Sequence, residues 1–251
     1  MRFLAAVAVA GYVALGAQGA SAQTDDSRFY INLNSAFEPG SQTYTDDGTF
    51  PLYDETGRLS VSSEVSTGAM LDFAAGGRIT GAFTFGLGFQ RASSSDPATV
   101  SGTAPHPIFF DRPRAFTQSI EGLTRTEQAL HLSVGYLVDV GEKLDLHITA
   151  GPSQFRFAQQ VPGSVAIEET SGQFTSVRPV VGVVSRKRND WGAHVGVDLS
   201  YPVYELDATT FRVGGFLRYA EASSDFQVVS GNPVKTDLGG VQMGVGVRVR
   251  F

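Results

Sequence analysis

The chain has 251 residues, 42% of them hydrophobic and 18% charged, with a formal net charge of −6 and no cysteine. The acidic balance argues against nucleic acid as a partner, since phosphates demand basic patches, and the lack of cysteine excludes a disulfide framework. Beyond the first residues no run approaches about 18 consecutive apolar residues, so no transmembrane helix is expected.

The first residues read as an export leader. Arg2 gives a positive start, residues 4–15 are an apolar run, and Ala20-Ser21-Ala22 matches the small-x-small cleavage pattern. Cleavage after Ala22 and export by the general secretory route are expected, leaving residues 23–251 as one domain.

From there the apolar residues recur with period two, the signature of strands. Phe29, Ile31, Leu33 and Phe37 share a face in the first strand, and Val65, Ala69, Leu71 and Phe73 in the second. Phe83, Phe85, Leu87 and Phe89 mark the third. Leu130, Leu132, Val134, Tyr136 and Val138 mark the fourth, and Leu144, Leu146, Ile148 and Ala150 the fifth. Val195, Val197, Leu199 and Tyr201 mark the sixth; Phe211, Val213, Leu217 and Tyr219 mark the seventh. The eighth is clearest: Val241, Met243, Val245, Val247, Val249 and Phe251 lie on one face, opposite Gln242, Gly244, Gly246, Arg248 and Arg250.

The connections alternate in length. Residues 75–78, 140–143 and 202–209 are short, while 40–58, 93–114, 161–179 and 226–237 are long and polar. Apolar-out, polar-in alternation with short turns at one end and long loops at the other predicts an all-β fold: an antiparallel up-and-down transmembrane β-barrel, of eight strands or, if a long segment hides a hairpin, ten. Residues 176–184 are β-rich and could extend strands above the membrane. Aspartate at Val245 should impair insertion, and Gly246→Ser on the other face should be milder.

By parity the inward face carries Glu64, Asp72, Glu127, His131, Asp145, His147, His194, Asp198, Arg212, Arg218, Arg248 and Arg250. Eight strands leave a lumen just wide enough for side chains to fill it. A salt-bridged polar plug is expected, with a narrow path for small solutes as the alternative. Gly196, Gly214, Gly244 and Gly246 are expected to make room for long arginines. Three histidines with Asp145 and Asp198 raise a metal hypothesis, but they lie on separate strands without a metal motif, so lumen partners are expected instead. No cofactor is implied.

With these features the chain resembles the outer-membrane β-barrel superfamily, of the small kind typified by the OmpA transmembrane domain and OmpW. The resemblance covers residues 23–251. It implies that Val247, Val249 and Phe251 belong to the carboxy-terminal signal read by the barrel-assembly machinery. It also implies outer-membrane lipid as the surroundings, with both chain ends at the periplasm. It is specific for fold and location and weak for activity.

In the second long loop, Phe109 and Phe110 stand between prolines. They suggest packing on the barrel rim or, failing that, contact with an extracellular partner. His106 and Asp111 are near them, but no nucleophile motif accompanies them. The expected function is therefore non-enzymatic: envelope structure or loop-mediated interaction. A porin-like channel is the alternative, and a lipid-modifying or proteolytic barrel enzyme is less favoured.

Overall fold

The computed structural model describes residues 27–251 apart from 67, 142, 171–173 and 228–232; the predicted leader lies outside these. Ten strands run in chain order: β1 (Phe29–Phe37), β2 (Ser41–Leu52), β3 (Glu55–Ser66), β4 (Ala69–Thr80), β5 (Phe83–Ala104), β6 (Arg114–Val140), β7 (Leu144–Glu169), β8 (Val177–Leu206), β9 (Thr209–Gln227) and β10 (Pro233–Arg250). Eight of them close an antiparallel ring, β1-β4-β5-β6-β7-β8-β9-β10 and back to β1. Closure leaves no open sheet edge around the wall. Backbone bonds tie the ends together: Arg28 N and Phe29 N donate to Phe251 O (2.9 and 2.8 Å), and Phe251 N to Phe29 O (3.0 Å).

The other two strands form a hairpin inserted between β1 and β4. Its β3 arm pairs with the upper part of β5, from Arg58↔Thr103 to Ser63↔Ala98. Its turn places Tyr53 and Asp54 both at positive φ (53° and 60°), as a two-residue type I′ hairpin requires. The long connections are thus mostly strand. β5 to β8 continue far past the apolar belt, and the bridges between them shrink to residues 105–113 and 170–176. The β-rich stretch at 176–184 falls in β8, as an extension of the ring strand.

The sequence reading is corrected at four places. Val65 lies on β3, not on the strand holding Ala69, Leu71 and Phe73, because Gly68 at φ 72° breaks the run. The first short turn is not at 75–78, which lies inside β4, but at Gly81-Ala82, where Gly81 takes φ 53°. Gly246→Ser is not a mild change. A Cβ on Gly246 would sit 2.0 Å from Leu33 O on the paired β1, a backbone atom that cannot swing away. Nor do Gly214, Gly244 and Gly246 clear space for arginines. A Cβ on Gly214 or Gly246 meets neighbouring backbone, and one on Gly244 meets Ala36 and Phe216. Gly196 has side-chain carbons of Arg218 at 3.4 Å, and Gly214 meets Arg248 only through its carbonyl oxygen.

Outside, the ring carries a continuous belt of exposed apolar side chains. It includes Ile31 and Leu33 on β1, Leu71 and Phe73 on β4, Phe85 and Leu87 on β5, Leu132 and Val134 on β6, Val197 and Leu199 on β8, Leu217 on β9 and Val245 and Val247 on β10. The inward positions between them are polar or glycine: Asn32, Asp72, Gly86, Ser133, Asp198 and Gly246. This inverts the arrangement of a water-soluble barrel and is the pattern of one that spans a membrane.

Candidate functional site: the filled lumen and its lid

Strand alternation turns one set of ionisable residues into the barrel, and they meet there in layers. At the end carrying Phe251, Asp145 takes Arg212 (2.8 Å) and Arg250. Arg212 also donates to Ser200 Oγ (3.1 Å) and to Lys143 O (3.0 Å). One step up, Arg248 is only 1% exposed. Its Nε donates to both carboxylate oxygens of Asp198 (3.1 and 3.2 Å), its Nη2 to Asp198 Oδ2 (2.5 Å), and its Nη1 to Gly214 O (2.9 Å). Higher still, Arg218 pairs with Asp72 (2.8 Å), which also accepts from Asn34 Nδ2 (2.9 Å). Each of these buried charges thus meets an opposite charge, and Arg212, Arg218, Arg248 and Asp72 make further hydrogen bonds, the condition under which desolvation is tolerated.

The three histidines are hydrogen-bonded within the same lumen. His147 Nε2 meets Thr84 Oγ1 (2.8 Å). His131 and His194 stack edge to face, with ring centroids 4.7 Å apart. The hydroxyl of Ser153 lies between them, 2.7 Å from His131 Nδ1 and 2.9 Å from His194 Nδ1, so it can donate to one and accept from the other. A hydroxyl flanked by imidazoles resembles an activated nucleophile, but Ser153 is 0% exposed and His131 1%. The cavity beside them holds about 50 Å³, space for a few water molecules.

Above this polar section the interior turns apolar. Phe155, Phe157, Val161, Ala220, Ala222 and Leu238 pack into one fully buried layer. Beyond it Leu59, Val61, Val100, Ala104 and Phe116 form a second core, with Val165, Ile167, Val177 and Val181 against them. The β2-β3 hairpin with the tops of β5 and β6 is thereby packed on the tops of β7 and β8, as a lid two sheets thick.

A charged clasp holds the lid's far edge. Arg114 Nη1 and Nη2 both reach the Glu169 carboxylate, the second at 2.7 Å, and Nη2 also donates to Pro105 O (2.6 Å). The Tyr53 hydroxyl donates to Glu169 Oε1 (2.8 Å), which joins the hairpin turn to the clasp. Hydrogen bonding to Arg114 holds the Glu169 carboxyl below its usual range, and hydrogen bonding to Glu169 raises Tyr53. A depressed carboxylate contributes stability above its unfolded pKa of about 4.3, lost as the pH falls through the lower folded value. Protection of the amides of residues 114–116 and 166–169, corrected for the intrinsic exchange rate, should therefore fall below about pH 4 while that of the ring is unchanged. Glu169→Gln should remove that acid step, and an unchanged pH profile in the variant would refute the clasp.

Most of the predicted lumen residues come together as described, with two placed differently. Glu64 is exposed on β3 and accepts from Ser41 Oγ (3.0 Å). β3 ends at Ser66 and Gly68 turns the chain before β4, so parity does not carry from Asp72 back to Glu64, which lies outside the lumen. Glu127 is buried, but above the belt, where it pairs with Arg125 (3.1 Å) and accepts from Gly239 N (3.1 Å). Arg125, Asn34, Gln90 and Ser153 were missed. Arg125 was legible as the next inward position above Glu127; the neutral groups carried no signal apart from parity. Phe109 and Phe110 do not pack on the rim. They are 54% and 75% exposed at the tip of the lid, with Phe109 between His106 (4.9 Å) and Arg112 (5.7 Å). His106 Nδ1 accepts from Ile108 N and Phe109 N and fixes that tip.

No protein-family model matches the chain, and no curated protein does. Among solved structures the chain is similar to small outer-membrane barrels. Over 90% of this chain and 99% of the other it resembles Ail, the attachment invasion locus protein of Yersinia pestis, at 10% identity and a TM-score of 0.40. Neisserial surface protein A matches at 15% identity over 89% and 97% of the two chains, with a TM-score of 0.35. The outer membrane protease OmpT from Escherichia coli matches at 9% identity over 93% and 99%, with a TM-score of 0.40.

Proposed function

We propose that this chain is a non-enzymatic integral outer-membrane protein of a Gram-negative envelope. Its barrel is closed, and its role is structural or is exercised by the lid and loop tip outside the membrane. The observation that carries this reading is the filled interior: buried Arg248–Asp198, Arg218–Asp72 and Arg212–Asp145–Arg250 contacts below a dry layer of Phe155, Phe157 and Leu238. The leader-like start and the external apolar belt support the location. Val247, Val249 and Phe251 would serve as the signal for the assembly machinery, and the exposed Phe109 and Phe110 as a contact for an extracellular partner. Ser153, His131 and His194 are buried, which favours a structural role for them.

Single-channel recording of the refolded protein in a planar bilayer tests this. A silent bilayer is expected, with folding confirmed by altered migration of the unheated protein on a gel. Steady, reproducible conductance would replace the closed barrel with a narrow channel.

A further inference from the structure

The outer wall is not uniform around its upper edge. Strand register sets Arg91, Gln128, Arg156 and Asn189 side by side across β5 to β8. Alternation points this row outward, one step above a row holding Phe89, Leu130 and Trp191, which are 44%, 48% and 72% exposed. The next outward row contains Thr126, Ala158 and Lys187. Arg91, Arg156 and Lys187 are exposed, and none has a carboxylate partner among the described residues. Arg156 Nε reaches only Asn189 Oδ1, at 3.4 Å. A recess of about 800 Å³ opens here, lined by Gln128, Arg156, Lys187 and Asn189, with Arg188 and a single acid, Asp190, from the other face of β8. The β9 wall carries the opposite charge near the same edge, an exposed Glu221 accepting from the Tyr219 hydroxyl (2.7 Å).

We propose that this recess binds the phosphate-bearing headgroup of an outer-leaflet amphiphile, whose acyl chains lie on Phe89, Leu130 and Trp191. The site rests on the membrane reading given above. Unpaired guanidinium and ammonium groups at the boundary of an apolar belt attract anionic headgroups, and guanidinium adds bidentate geometry suited to phosphate oxygens. Tryptophan at that height is the side chain that favours the interface between hydrocarbon and headgroup. The apolar surface below is continuous with the basic row. That continuity selects a lipid over a soluble polyanion, which would have no use for Phe89 and Leu130.

Trp191 is the chain's single tryptophan and stands beside the recess, so it reports occupancy directly. The protein is reconstituted in phosphatidylcholine vesicles containing a minor fraction of phosphatidic acid with brominated chains, and quenching of Trp191 is measured. Brominated phosphatidylcholine at the same fraction serves as reference. Phosphatidic acid is expected to quench several-fold more than the reference. Arg91→Gln, Arg156→Gln and Lys187→Gln should each cut its local enrichment by up to about fivefold, with the reference quenching unchanged. Equal quenching by the two lipids, or an excess that survives the triple variant, would overturn the site. Reference quenching by phosphatidylcholine separates the two levels, since it vanishes only if the wall is not in the membrane at all.

Discussion

Val245→Arg is expected to destabilise the folded barrel in lipid by about 2–4 kcal/mol, whereas Val245→Leu should be close to neutral. Val245 lies midway along the outward face of β10 and is 69% exposed. Its cross-strand neighbours are Ser35 on β1 and Gly215 on β9, so nothing large flanks it to shelter a charge. An arginine there must stay desolvated in hydrocarbon or snorkel past several residues of apolar wall. Urea unfolding in vesicles, followed by the gel shift of unheated samples, measures the difference. An arginine variant as stable as the leucine variant would mean that this face meets water.

Asp198→Ala should cost about 3–5 kcal/mol, because it strands a guanidinium that has no other carboxylate partner among the described residues. The Arg248 side chain is 2% exposed and the Asp198 side chain 15%. Asp198 accepts from two nitrogens of Arg248, and only Gly214 O would remain to the cation. Removing both charges, as Asp198→Leu with Arg248→Met, should restore most of the loss, because neither partner is then left unpaired. Raised salt should change the pair's coupling little, since the pair is shielded from mobile ions. A small cost for Asp198→Ala, or a double variant no better than the single, would show a hydrated lumen in place of a packed one.

The ring was legible because one physical rule wrote it. Lipid outside and paired charges inside force alternation on every spanning strand, and the chain displays it without a break from Val241 on β10 to Phe251. Loop-length alternation then fixed the order of the strands. The lid was not legible, because above the belt the rule reverses. Val61, Val100 and Phe116 face inward to a dry core, while the outward face meets water. Read with the membrane pattern, such segments look like polar loops. The hairpin turn gave no help either: Tyr53-Asp54 adopts a conformation usually marked by Asn-Gly, and Tyr53 is held there through Glu169, which is 116 residues away. The same reversal misplaced Glu64. Within the lumen, charges declared themselves by parity, but the partnerships did not. Strand register decides that Asp145 takes two arginines and that Ser153 falls between two histidines, and register comes from pairing over long sequence distances.

The most direct test of the barrel's placement uses the native chain. Trp191 projects from the upper part of the apolar wall, so its emission should be blue-shifted and strongly quenched when the protein is reconstituted in brominated phosphatidylcholine. Bromines near the headgroup end of the chain should quench more than bromines near its terminal methyl. Emission at the wavelength of water-exposed tryptophan, unaffected by either lipid, would mean that the apolar wall does not face a membrane.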